Sequence, residues 1–99
     1  MLVHCVYFWL KPGLSESQQA DFRRGVSTLA GIKTVENMYV GKPAATPRRP
    51  VIDHSYSTAL IVLFRDVAAH DAYQEDPIHL KFVADCQGYW TRVQIYDCD

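Results

Sequence analysis

The sequence predicts an α+β sandwich, with one antiparallel four-stranded sheet and helices on one side of it. Four runs rich in β-branched and aromatic residues (2–11, 34–42, 56–65 and 89–97) alternate with two helical patterns in the order β-α-β-β-α-β. The helical patterns open on the capping residues Ser15 and Asp66. The strand runs are apolar on both alternating faces, so each side of the sheet must be covered by something other than water.

The first run, LVHCVYFWLK, places Leu2, His4, Val6, Phe8 and Leu10 on one face and Val3, Cys5, Tyr7 and Trp9 on the other; Pro12-Gly13 ends it. Ser15 with Gln18 three residues on forms a capping-box signature for a helix to about Ala30, whose stripe is Phe22, Val26, Leu29 and Ala30. Gly31 stands where a left-handed C-terminal residue is often needed. In the second strand Val35, Asn37 and Tyr39 alternate with Glu36, Met38 and Val40. A loop over 43–55 follows, extended by Pro43, Pro47 and Pro50 and carrying Arg48-Arg49. In the third strand Tyr56, Thr58, Leu60, Val62 and Phe64 share a face backed by Ser57, Ala59, Ile61 and Leu63. The helical pattern from Asp66 breaks at Asp76-Pro77, an N-cap and first-position proline that start a second piece to about Gln87. The order is that of the ferredoxin-like split βαβ motif over a single domain, 1–99. Its helices cover one sheet face, so the apolar open face predicts a homodimer with two sheets packed across a dyad.

Composition narrows the function classes. The chain has 99 residues, 48% of them hydrophobic, and a net charge of −1 with its basic residues scattered. No basic stripe points to nucleic acid, and no apolar run reaches a membrane span of roughly 18 residues. Residues 1–10 lack the basic start and small-residue cleavage site of a signal peptide and read as a buried strand. Three cysteines, Cys5, Cys86 and Cys98, without CxxC spacing suggest neither a disulfide framework nor a zinc site, and a reducing cytoplasm is the expected location. No cofactor motif is present.

Several residues fall into an ordered pattern: His4 with Leu10-Lys11, then Arg49-Pro50-Val51-Ile52-Asp53, Tyr56 and Ala59–Phe64, then Asp71-Ala72-Tyr73-Gln74, Asp76-Pro77-Ile78-His79 and Phe82-Val83, ending with Trp90 and Asp97. Over essentially the whole chain this resembles the stress-responsive dimeric α/β-barrel family. The resemblance implies a dimeric α/β barrel built from two sheets. One plant branch of that family is a polyketide cyclase using a tyrosine and a histidine as acid/base pair, and those roles fall on Tyr73 and His79. His4 matches a pocket histidine. Thr58 stands where the cyclase has a further histidine and Val26 where it has a tyrosine.

The residues themselves allow more than one role. His79, Phe82, Val83 and Cys86 follow helical spacing, which draws the imidazole toward the apolar face. In the first helical turn the dipole disfavours its cation, so it is either a neutral base or a clamp on a backbone carbonyl. Tyr73, six residues earlier, is either its proton-transfer partner or an aromatic plug. His4 reads as a hydrogen-bonded core histidine or a ligand-orienting group, with Thr58, Val26 and Phe82 completing a pocket. Asp53 is expected to stabilise its loop or a dimer contact, His70 to face solvent, and Tyr7, Trp9 and Trp90 to serve core or interface. The expected function is a small-molecule-binding dimer with cyclase- or lyase-like acid/base chemistry on a small organic substrate. The competing expectations are a non-catalytic stress-related dimer and a cofactor-free monooxygenase-like relative.

Overall fold

Alternation decides the first layer. In a computed structural model that describes residues 1–99, β1 (Leu2–Leu10) is buried at Leu2, His4, Val6 and Phe8 and only half-buried at the residues between. The strand sits in the middle of the sheet, antiparallel to β3 (Thr58–Phe64) on one side and β4 (Trp90–Cys98) on the other, with β2 (Val35–Gly41) beyond β3. The resulting order, β2-β3-β1-β4, is that of the ferredoxin-like arrangement.

Helix α1 (Glu16–Thr28) starts with the expected capping box, Gln18 N–H donating to Ser15 Oγ at 3.1 Å and Ser15 N–H to Gln18 Oε1 at 2.9 Å. It buries Phe22 and Val26 and ends in a 3₁₀ turn (Leu29–Gly31) that buries Leu29. Gly31 lies inside that turn without a positive φ. The one left-handed residue is Gly13 (φ 78°), which lets the chain reverse after Pro12. The second helical pattern divides into α2 (Val67–Glu75) and α3 (Pro77–Cys86), joined at Asp76.

Two strand faces differ from the alternation read in the sequence. Between Val35 and Asn37 the register of β2 shifts, so Val35 stands opposite Phe64 and packs on the core with Met38, while Asn37 and Tyr39 stay opposite Leu63 and Ile61. A β-bulge inserts one residue and switches sides, which a strict two-residue period cannot anticipate. Strand β3 starts at Thr58. Tyr56 therefore lies in the loop, with its ring 5.0 Å from that of Tyr7 on the open side and not beside Leu60.

The core lies between the sheet and α1, α2 and α3, and includes Phe8, Phe22, Leu29, Leu60, Phe64, Tyr73 and Phe82. Phe8, Phe22, Phe82 and Trp90 form a cluster of tilted and edge-to-face rings with centroids 5.2 to 6.4 Å apart. The molecule is only 17 Å thick. Its other sheet face, with Val3, Cys5, Tyr7, Trp9, Ile61 and Leu63, has no layer over it, and Tyr39 and Tyr96 project from it at 69% and 64% exposure.

Gly25 is where α1 meets α3. A Cβ there would come within 2.6 Å of Cys86 Sγ and 3.2 Å of a Phe82 ring carbon. Alanine gains up to about 1 kcal/mol in helix propensity, but forcing an overpacked contact costs roughly 1–3 kcal/mol. We therefore expect Gly25→Ala to destabilise the protein in urea unfolding, and Cys86→Ala in the same chain to recover most of the loss. Stabilisation by Gly25→Ala alone would contradict the close packing of these helices.

Candidate functional site

Asp76 builds the site locally. Its N–H donates to Tyr73 O at 3.2 Å and closes α2, while its Oδ1 accepts from Ile78 N–H at 2.8 Å and caps α3, with Pro77 supplying the first helical residue. At ψ 137° Asp76 is extended, so the chain turns and α3 leaves in a new direction. His79, on the first turn of α3, thereby returns to the end of α2. Its Nδ1–H donates to Gln74 O at 3.2 Å, and its ring centroid lies 4.8 Å from that of Tyr73. With the proton on Nδ1, Nε2 carries the lone pair.

These two rings border a cavity of about 160 Å³ between the sheet and α2–α3. Its polar lining consists of His4, Tyr73, Gln74 and His79. Val6, Phe8, Phe82 and Trp90 are among the apolar walls. Burial pushes the Tyr73 phenol well above its ordinary value of 10.0, with no hydrogen-bonding partner to offset it. Desolvation also lowers His79 below the usual histidine value of 6.5, outweighing the hydrogen bond to Gln74, which acts the other way. A neutral imidazole and a neutral phenol therefore face one apolar space at pH 7.

His4 is 2% exposed on β1. Its partner is Asp97, the residue opposite it on β4, with Nδ1 and Oδ1 2.5 Å apart. Desolvation lowers the His4 pKa despite this carboxylate. A neutral His4 donating from Nδ1 to Asp97 leaves Nε2 as an acceptor, and its ring stands edge-on to Tyr73 at 5.9 Å.

Two expected pocket residues are elsewhere. Thr58 pairs with Phe8, whereas His4 pairs with Val62. Four strand residues, roughly 13 Å, separate the two positions. Thr58 instead lines an open cleft with Leu10, Lys11 and Lys42. Val26 is wholly buried in the core and does not border the cavity. Phe82 does line it. His70 also differs from expectation. It is half-buried, its ring edge-on to His4 at 4.9 Å and to Phe64 at 5.7 Å. The overlooked signal was its place next to Ala69, which with Tyr73 forms the buried side of α2. Asp53 accepts from Ser55 N–H at 2.8 Å and holds its loop, as expected.

A second depression, of about 340 Å³, lies on the open sheet face among Tyr7, Trp9, Tyr56, Arg92 and Tyr96. Arg92 stacks on the Trp9 ring at 4.1 Å. No helix of the protein is long and apolar enough to cross a membrane.

The chain is similar in fold to several proteins of solved structure. An Arabidopsis thaliana protein superposes with a TM-score of 0.82 at 19% identity, covering 100% of this chain and 94% of that one. The hydroxynitrile lyase of Passiflora edulis gives 0.80 at 18% identity, covering 98% and 90%. A dimeric ferredoxin-like protein of unknown function from Thermobifida fusca gives 0.78 at 17%, covering 98% and 88%. At these identities the likeness establishes the fold. No functionally curated protein matches the sequence. The model of the stress-responsive A/B barrel domain matches residues 2–99, and the chain belongs to that family.

Proposed function

We propose that the protein is a homodimeric acid/base catalyst acting on a small, largely apolar organic molecule held in the cavity beneath α2 and α3. The observation that carries this reading is the pairing of Tyr73 and His79 at 4.8 Å on a 160 Å³ apolar space, with His79 Nδ1 committed to a backbone carbonyl. A dry apolar cavity of roughly 150 Å³ takes up a molecule the size of benzene, so the substrate is a single ring or short chain.

His79 Nε2 accepts a proton from the substrate. The Tyr73 hydroxyl donates a hydrogen bond to the substrate oxygen on which charge changes. His4, fixed by Asp97, orients the substrate by accepting a hydrogen bond at Nε2 from a second donor group. Such a set suits reversible carbon–carbon bond making or breaking next to a carbonyl. In the cleavage direction the hydroxyl proton passes to His79, the C=O bond forms as the neighbouring C–C bond breaks, and the departing carbanion takes up that proton from His79, which restores the neutral base. The hydroxynitrile lyase among the structural relatives makes lyase chemistry the first class to assay.

The open sheet face supports the dimer. Tyr7, Trp9, Ile61 and Leu63 form an apolar surface on the sheet face that carries no helix, and a relative of the same fold is described as dimeric. Sedimentation at micromolar concentration should give twice the chain mass, and Ile61→Glu should give the monomer. A wild-type monomer would remove the dimer from this reading.

With a panel of small hydroxy- and oxo-compounds, His79→Ala should lower kcat/KM by about 10²–10⁴-fold and Tyr73→Phe by a similar or smaller factor. Full activity in His79→Ala on the best substrate would exclude it as the base. The pH profile follows from the direction of the shifts. The base works deprotonated and its pKa is lowered, so the acid limb of kcat/KM should be centred below pH 6.5. Because the Tyr73 phenol is raised, it should contribute no alkaline limb below pH 10. An acid limb centred above pH 6.5 would contradict the assignment.

A further inference from the structure

Three ionisable side chains from distant segments meet at the edge of the cavity, which His4 lines, and the acid/base reading uses only part of the group. A ring nitrogen of His4 on β1, one of His70 on α2 and a carboxylate oxygen of Asp97 on β4 all lie within 4.8 Å of one another. His4 is fixed by burial. The side chains of His70 and Asp97 are 18% and 42% exposed, so the group opens toward solvent on the Asp97 side. Asp97 accepts a hydrogen bond from His4 and makes no ion pair with a lysine or arginine. His70 is oriented from behind, its Nδ1–H donating to Asp71 Oδ1 at 3.1 Å, which leaves Nε2 with the lone pair. A carboxylate behind a ligating imidazole is the usual way of fixing its tautomer and raising its basicity.

We propose that His4, His70 and Asp97 bind a divalent transition-metal ion through two imidazole nitrogens and one carboxylate oxygen, with water completing the coordination. Imidazole ligands favour zinc, copper, nickel and ferrous iron over magnesium and calcium, which prefer oxygen. Zinc bonds of about 2.0–2.1 Å in a tetrahedron place ligand atoms about 3.3 Å apart. The 2.5 Å His4–Asp97 contact must therefore open by somewhat under about 1 Å, and the longer separations must close by up to about 1.5 Å. Side-chain rotation of the half-exposed Asp97 and of His70 supplies this movement. His70 Nε2 also gives up its 3.3 Å contact with the Gln74 side-chain amide. Ligation through His4 Nδ1 displaces the proton shared with Asp97, so the metal-bound state and the substrate-orienting role of His4 are alternatives. The site is tested by binding and not by turnover, so its failure leaves the Tyr73–His79 reading standing.

Metal-free protein titrated with zinc chloride in a non-coordinating buffer should bind one ion per chain by calorimetry. His70→Asn and Asp97→Asn should each weaken binding at least about tenfold. Asp71→Asn, an exposed change outside the coordination sphere, should weaken it by roughly 10–100-fold. His54→Ala and Cys98→Ser should leave it unchanged. Substituting cobalt should give ligand-field bands without a thiolate charge-transfer band. Absence of saturable binding, unchanged affinity in both His70→Asn and Asp97→Asn, or a thiolate band would each overturn the site. Circular dichroism of every variant separates loss of binding from loss of fold.

Discussion

The arrangement at the cavity depends on the two-way cap made by Asp76. One residue ends α2 with its backbone and begins α3 with its carboxylate. If the pattern from Val67 to Cys86 ran as one continuous helix, Tyr73 and His79 would sit six residues apart, on different sides of a cylinder and about 9 Å apart along it. The break folds that distance away and brings the rings to 4.8 Å. It also exposes the carbonyls at the end of α2, which need partners, and His79 Nδ1 satisfies the one at Gln74. The hydrogen bond that completes the helix end thus also sets the tautomer of the proposed base. An N-cap of this kind is worth ~0.5–2 kcal/mol, modest beside total stability but concentrated at the site.

The sheet contributes the opposite wall. β1 is central, so its helix-facing residues are covered on every side, and His4 is held there at 2% exposure with Asp97 across the strand pair. A buried polar group without a partner costs about 1–3 kcal/mol, and the short contact to Asp97 removes that cost for His4. With the helices committed to one side, the 17 Å thickness of the molecule leaves the other face without cover. The catalytic reading and the dimer reading therefore rest on opposite faces of the same strand.

Much of this was legible in the sequence because it is local. The two-residue period of β1 separated His4 and Phe8 from Tyr7 and Trp9, and Ser15–Gln18 and Asp76-Pro77 marked helix starts by their own chemistry. The misplaced residues depended on non-local geometry. Thr58 shares a face with His4, but only strand register reveals that it pairs four residues further along β1. Val26 belongs to the buried stripe of α1, yet the stripe does not say which part of the core borders a void. Tyr56 and Val35 were displaced by a late strand start and a bulge. His70 and Asp97 come together with His4 only when three elements pack, and no spacing rule along the chain could have grouped them.

The proposed function requires the fold to hold His79 as a neutral base with its lone pair turned to the cavity. The most direct test is the nitrogen-15 spectrum of His79 in the native protein at pH 7, assigned by comparison with His79→Gln. The expected result is a neutral imidazole with the proton on Nδ1, still more than half neutral at pH 6.5. An imidazolium at pH 7, or a neutral ring with its proton on Nε2, would contradict it.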